Sequence, residues 1–202
     1  MILRTTAASP FGRKVRIAAS VVGLDRRIEM VSADSADPDD TLRRQNPLGK
    51  MPALILDDGA VLYDSRVIVE YIDHLAGGGR LIPREPAARF AALRLQALAD
   101  GIMDASVLLV YEGRWRDPAR QEPKWIEHQT GKIDRALASL EASSADLETM
   151  PRIGEIALAC ALGYADLRFG GAWRAGHPGL VRFLAGFSAA VPAFEATGPS
   201  AG

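Results

Sequence analysis

Between residues 77 and 86 the chain changes character, and that break limits the folds open to it. Gly77-Gly78-Gly79 is followed by Pro83 and Pro86, residue types that interrupt regular structure. Before the break, short β-type runs alternate with helical periodicity. Ile2–Thr5, Ile28–Val31, Ala53–Leu56 and Val61–Tyr63 read as strands, and Pro10–Val22 and Ser65–Ala76 as helices. Pro10 suits a first helical position, because its fixed φ and missing N–H cost nothing there, and Gly23 is a natural stop. Val67, Ile68, Tyr71, Ile72 and Leu75 mark one apolar face of the second helix. Asp58-Gly59, between the last two strands, is a hairpin signal. Ser32–Arg44 is polar and reads as a surface loop or a short helix. After the break, Ala87–Tyr111, Trp125–Ala142, Gly154–Asp166 and Leu180–Ala190 read as helices, and no clear strand signal returns. The expected fold class is therefore α/β plus all-α. A β-α-β-loop-β-β-α domain spans residues 1–77 and an all-helical domain spans 87–202.

Composition narrows the function. A formal net charge of -1 over 202 residues gives no electrostatic case for nucleic acid or an acidic membrane surface. Cys160 is the one cysteine, so an internal disulfide, CxxC chemistry and a cysteine-rich zinc site are excluded. A lone cysteine suits a reducing compartment. The N-terminus lacks the apolar run of a secretory signal, and no stretch of about 18 apolar residues predicts a membrane span. His74, His128 and His177 have no ligand spacing, and no metal is expected. Trp115, Trp125 and Trp173 read as core or pocket lining, and Cys160 as a buried, inert thiol.

Three segments of the first domain carry chemistry. Ser9-Pro10-Phe11-Gly12-Arg13-Lys14-Val15 is a strand-loop-helix junction. A hydroxyl there sits near partly positive N–H groups, a place that favours an anion such as a thiolate. Spacing alone favours the simpler role of N-cap for Ser9. Asn46-Pro47-Leu48-Gly49-Lys50-Met51-Pro52-Ala53 brings Pro52 to a strand start, where its missing N–H is tolerated. Lys50 is either a partner for a carboxylate or a solvated surface lysine. Asp64-Ser65 opens a helix, whose free N–H groups and Ser65 hydroxyl can take a carboxylate while Asp64 takes an ammonium; simple capping is the alternative.

In this order and context the three segments resemble the glutathione S-transferases, and the likeness covers nearly the whole chain. It is strongest to bacterial members with an N-terminal SPF-x-RK segment. The resemblance implies a thioredoxin-like domain followed by a helical bundle, a cytoplasmic homodimer, and glutathione as co-substrate. It places Ser9 at the glutathione sulfur, the Met51 backbone and Pro52 at its cysteinyl part, Asp64-Ser65 at its γ-glutamyl end and Lys50 near its glycyl carboxylate. Phe11 falls within the same binding segment. Asp100 and Asp104, four apart and so on one helix face, either reach glutathione, in one version across a dimer, or form a solvated or structural face. Tyr111 either lines the second-substrate pocket or simply packs. Ile156–Arg168 is similar to the family's buried sixth helix, and Pro192–Pro199 to its C-terminal tail. One departure is Arg152-Ile153-Gly154-Glu155, which replaces the family's Ser/Thr-x-x-Asp helix start.

The implied reaction is conjugation of glutathione to an electrophilic apolar substrate, with Ser9 stabilising the thiolate. The competing class is a non-catalytic glutathione-binding or protein-interaction module of the same fold. A disulfide reductase is disfavoured, since Ser9-Pro10-Phe11-Gly12 stands in place of CxxC.

Overall fold

The computed structural model describes residues 1–198; Pro199, and with it the end of the tail and of the 87–202 segment, lies outside the described residues. Four strands, β1 (Ile2–Thr5), β2 (Glu29–Ser32), β3 (Ala53–Ile55) and β4 (Val61–Leu62), form one mixed sheet in the order β2-β1-β3-β4. β2 runs parallel to β1, while β3 is antiparallel to both β1 and β4. The Asp58-Gly59 signal closes the β3–β4 hairpin, with Gly59 at φ 87° and Leu56 N–H donating to Ala60 O at 2.8 Å. Among the described residues there are eight α-helices: α1 (Pro10–Val21), α2 (Leu42–Gln45), α3 (Ser65–Leu75), α4 (Pro86–Trp115), α5 (Pro123–Ala142), α6 (Ile153–Phe169), α7 (Pro178–Ala190) and α8 (Ala193–Ala196).

Every strand and every long helix read from the sequence is present, with ends displaced by a few residues. Three of the displaced helix starts share a cause. Pro86, Pro123 and Pro178 each take a first helical position, as Pro10 does, so α4, α5 and α7 start earlier than the apolar periodicity alone indicates. Glu85 strengthens the start of α4, its two carboxylate oxygens accepting from Ala87 and Ala88 N–H at 2.9 and 2.7 Å.

The apolar face of α3 is narrower than the sequence suggests. Ile68, Val69 and Ile72 are buried, whereas Val67 is 47% exposed. α3 packs against α1, and the Val67 side of the stripe stays uncovered. Trp173 is buried, whereas Trp115 and Trp125 are exposed and lie outside the core; Trp115 lines a shallow surface pocket at the end of α4. Both lie toward the ends of long helices, beyond the reach of neighbouring elements.

One continuous core joins the sheet side to the helical side. α6 runs through its middle, apolar on nearly every face and buried along most of its length, as a helix without a polar face must be. Its missing Ser/Thr cap is made good from elsewhere: Ile153 N–H donates to Leu81 O at 3.0 Å, satisfying one of the orphan donors of the first turn. The turn that supplies Leu81 is itself built by Asp73, buried at the end of α3. Its carboxylate accepts from Gly79, Arg80 and Leu81 N–H at 2.9, 3.0 and 2.7 Å. Gly77, Gly78 and Gly79 have φ of 94°, 73° and 86°, a left-handed run that only glycine adopts without strain. No helix among the described residues is long and apolar enough to cross a membrane.

Candidate functional site

Sheet register places the three sequence segments together. Ala53 of β3 lies opposite Arg4 of β1, and Leu54 opposite Leu62 of β4. The chain therefore leaves β1 toward Ser9, enters β3 from Pro52 and leaves β4 toward Asp64, all at one end of the sheet.

At that end, Ser9 caps α1. Its Oγ accepts from Gly12 N–H at 3.1 Å, and the residue is 9% exposed. A hydroxyl has two lone pairs and one proton, so capping leaves the O–H free to donate to a ligand. The cap and the thiolate donor are compatible roles. Gly12 makes this junction possible: a Cβ there would overlap Thr5 Oγ1, so the first turn of α1 rests directly on β1. Phe11 is half-buried on the same turn, its ring 5.6 Å from Lys14 Nζ.

The second segment is held by Asn46, a residue whose role the sequence reading missed. Buried at 2% exposure, it donates from Nδ2 to Lys50 O at 2.7 Å and accepts Leu48 N–H at 3.0 Å. This pins the loop that delivers Lys50, exposed, and Met51, half-buried. The Met51–Pro52 bond is cis. In the third segment Asp64 caps α3, one oxygen accepting Arg66 N–H at 2.9 Å while the carboxylate stays exposed. Ser65 beside it is buried.

Asp100 and Asp104 part company. Asp100 is 1% exposed, between two cations: Lys14 Nζ lies 2.7 Å from Oδ1 and Arg66 Nε 2.8 Å from Oδ2. Both oxygens are committed, so Asp100 is a structural anchor beneath the site, tying α4 to α1 and α3. Burial lowers the Lys14 ammonium from its ordinary value, with Asp100 opposing it. The Asp100 hydrogen bond raises Arg66. Asp104, one turn on, faces outward. Partial burial and then the Asp100 charge raise its carboxyl, against Arg66 and Lys50. Lys50, Asp64, Arg66 and Asp104 thus form one charged rim. Lys14 has a signal in the sequence: it lies four residues before Ala18 and one before Val15, among the apolar positions of α1. Arg66 has none.

Across from Ser9, the wall of the crevice comes from α6. Ser9, Pro10 and Arg13 face Cys160, Tyr164 and Leu167. Cys160 is fully buried, and burial pushes its thiol up to about 12. Tyr111 is 38% exposed on α4, near Tyr164. Among the described residues no three His, Cys, Asp or Glu side chains gather as a metal-ligand set.

Comparison with known proteins identifies the family. Residues 3–80 match the family model of the glutathione S-transferase N-terminal domain, and residues 123–186 that of the C-terminal domain. The uncharacterized GST-like protein YibF of Escherichia coli (strain K12) is 34% identical, over 87% of this chain and 88% of its own. The chain belongs to the glutathione S-transferase family. Among solved structures, a glutathione transferase family member from Pseudomonas fluorescens Pf-5 with bound glutathione is 45% identical, with TM-score 0.91 over 98% of both chains. Its structure with bound S-(propanoic acid)-glutathione matches at TM-score 0.88 and 44% identity, over 98% of this chain and 99% of that one. In the terms of the family, the β-α-β-β-α half is the thioredoxin-like domain and α4–α8 the helical one.

Proposed function

We propose that this glutathione S-transferase family member is a working transferase that binds glutathione at the sheet end and conjugates it to an electrophile. The observation that carries this is Ser9, a buried helix cap whose proton stays free to be donated. A thiol of ordinary pKa, ~8.5, is mostly protonated at neutral pH. A hydrogen bond to its charged form favours the thiolate, and two units of lowering correspond to ~2.7 kcal/mol. Serine stays neutral throughout. The sulfur pair forms the new S–C bond as the leaving group departs, or as a π pair is displaced.

The other residues bind. The Met51 backbone beside Pro52 pairs with the cysteinyl part. Ser65 and the N-terminus of α3 take the γ-glutamyl carboxylate, and the exposed Asp64 carboxylate takes its ammonium. Lys50 meets the glycyl carboxylate, and Phe11 packs alongside. The residues present fit the peptide: exposed charge of both signs stands at one rim, with a buried hydroxyl between. Bound glutathione and S-(propanoic acid)-glutathione in the Pseudomonas fluorescens relative support the reading. Residues 1–77 carry the peptide, and 87–202 supply the opposite wall of the crevice.

A homodimer fits the exposed apolar face. Tyr63, Val67 and Phe90 are 37%, 47% and 68% exposed, beside the Arg89–Glu70 ion pair at 3.1 Å. A monomer mass by light scattering at micromolar concentration overturns this.

Ser9→Ala tests the chemistry. Binding contacts lie elsewhere, so glutathione affinity stays nearly constant while turnover falls roughly ten- to a hundredfold, the worth of a hydrogen bond to a charged group. The pKa of bound glutathione, read from thiolate absorbance, rises in step. If pKa and turnover are both unchanged, Ser9 is only a cap. If the wild type binds glutathione but turns over no electrophile, the protein is a binding module.

A further inference from the structure

We propose that Arg114 and Arg168 form a cationic rim on the second-substrate crevice and select electrophiles that carry a carboxylate. The inference rests on the transferase reading above and departs from the wholly apolar substrate that the sequence suggests.

Four observations carry it. Arg114 lies in the last turn of α4 and Arg168 in the last turn of α6, the two helices that pack most closely in the molecule. Each side chain folds back along its helix onto a tyrosine, Arg114 5.6 Å from the Tyr111 ring centre and Arg168 5.5 Å from that of Tyr164. Tyr164 lines the same small cavity as Ser9, about 10 Å³ in volume, so the guanidinium beside its ring stands close to the Ser9 end of the site, and an electrophile has to approach the sulfur from outside that cavity. Tyr111 and Arg114 lie close enough to affect the Tyr164 phenol, which joins the two pairs into one cluster.

The simple alternative is that both arginines only neutralise helix C-termini. Their surroundings argue against that as the whole role. Neighbouring arginines have found anions: Arg116 pairs with Glu112, and Arg174 with Asp166 at 2.6 Å. Arg114 and Arg168, both exposed, have no carboxylate within 4.0 Å among the described residues. Asp104, almost three turns before Arg114 on α4, stands near Lys50 and Arg66 instead. A guanidinium held beside a ring is restrained in position and has five N–H donors, so even with Arg168 also reaching the Tyr164 hydroxyl donors remain for a carboxylate. Leu167, which lines the cavity with Ser9 and Tyr164 and is 43% exposed, adds an apolar surface beside this rim. An acidic Michael acceptor fits such a site. The thiolate pair forms the S–C bond at its β-carbon, the π pair moves to the α-carbon, and the thiol's proton ends there. The guanidiniums offset the negative charge that builds on the carboxylate side.

Calorimetry with three probes tests this without requiring turnover: glutathione, S-(2-carboxyethyl)glutathione and its amide, S-(2-carbamoylethyl)glutathione. The acid and the amide differ only in charge and one donor. Wild-type protein binds the acid about tenfold more tightly than the amide, between the return of one exposed ion pair and that of a full charged hydrogen bond. In Arg114→Gln/Arg168→Gln the preference disappears, while glutathione itself binds as before, which also shows that the variant is folded. Glutathione binding with equal affinity for acid and amide in the wild type overturns the inference alone. So does a preference that survives the double substitution. Failure of all three probes to bind overturns the glutathione reading and this inference with it.

Discussion

Removing Asp100 should damage the protein far more than its distance from any ligand suggests. Lys14 is fully buried and Asp100 is 1% exposed, 2.7 Å apart, whereas the second partner, Arg66, has a side chain that is 52% exposed. Asp100→Asn therefore strands an ammonium that has no water to turn to, while Arg66 simply re-enters solvent. Breaking a buried pair from one side costs ~3–5 kcal/mol. For a chain of this size each kcal/mol moves Tm by ~2–4 °C, so the fall is roughly 6–20 °C. Lys14→Met is milder, at about 2 kcal/mol, because Asp100 keeps Arg66 and the methionine fills the apolar volume. The double variant should be no worse than Asp100→Asn alone, giving a coupling of about 2 kcal/mol in the cycle. There is also a pH signature. Without Asp100, the lowering effect of burial on Lys14 is opposed only by the smaller raising effects of Cys160 and Asp64, so its folded pKa drops further below the unfolded value of 10.5. The folded state then binds fewer protons than the unfolded one, and stability rises with pH as the window up to 10.5 is crossed. The Asp100→Asn deficit should shrink between pH 7 and pH 10. The assay is urea unfolding followed by circular dichroism, at one protein concentration because association shifts apparent stability. Additive costs within 0.5 kcal/mol, or a deficit independent of pH, would refute the reasoning.

Two further outcomes follow from close packing. Gly12→Ala should cost ~1–3 kcal/mol by forcing α1 away from Thr5, and Thr5→Ala/Gly12→Ala should recover part of that; an unchanged Tm for Gly12→Ala disproves the contact. Cys160, fully buried with its thiol raised to about 12, should resist a thiol reagent at pH 8 in native protein and react once urea unfolds it; fast labelling of the native state contradicts its placement.

The local signals in this sequence are strong where they act over a few residues. The glycine-proline break, the Asp58-Gly59 hairpin and Pro10 depend only on the conformations open to each residue. They gave the order of strands and helices, whereas the roles proposed for Ser9, Lys50–Pro52 and Asp64-Ser65 came from the resemblance to the family. Applied evenly, the Pro10 argument would also have set the starts at Pro86, Pro123 and Pro178. Periodicity could not tell which part of an apolar stripe meets a neighbour. Val67 and Ile68 are alike in the sequence, and only the position of α1 buries one and exposes the other. The same limit hid the charges. Lys14 and Asp100 are 86 residues apart, Arg114 and Arg168 lie on different helices, and nothing local tells a solvated charge from a paired or waiting one. That distinction is made by the low dielectric between packed helices, where an anion's neighbours are fixed by how α1, α3, α4 and α6 pack rather than by sequence order.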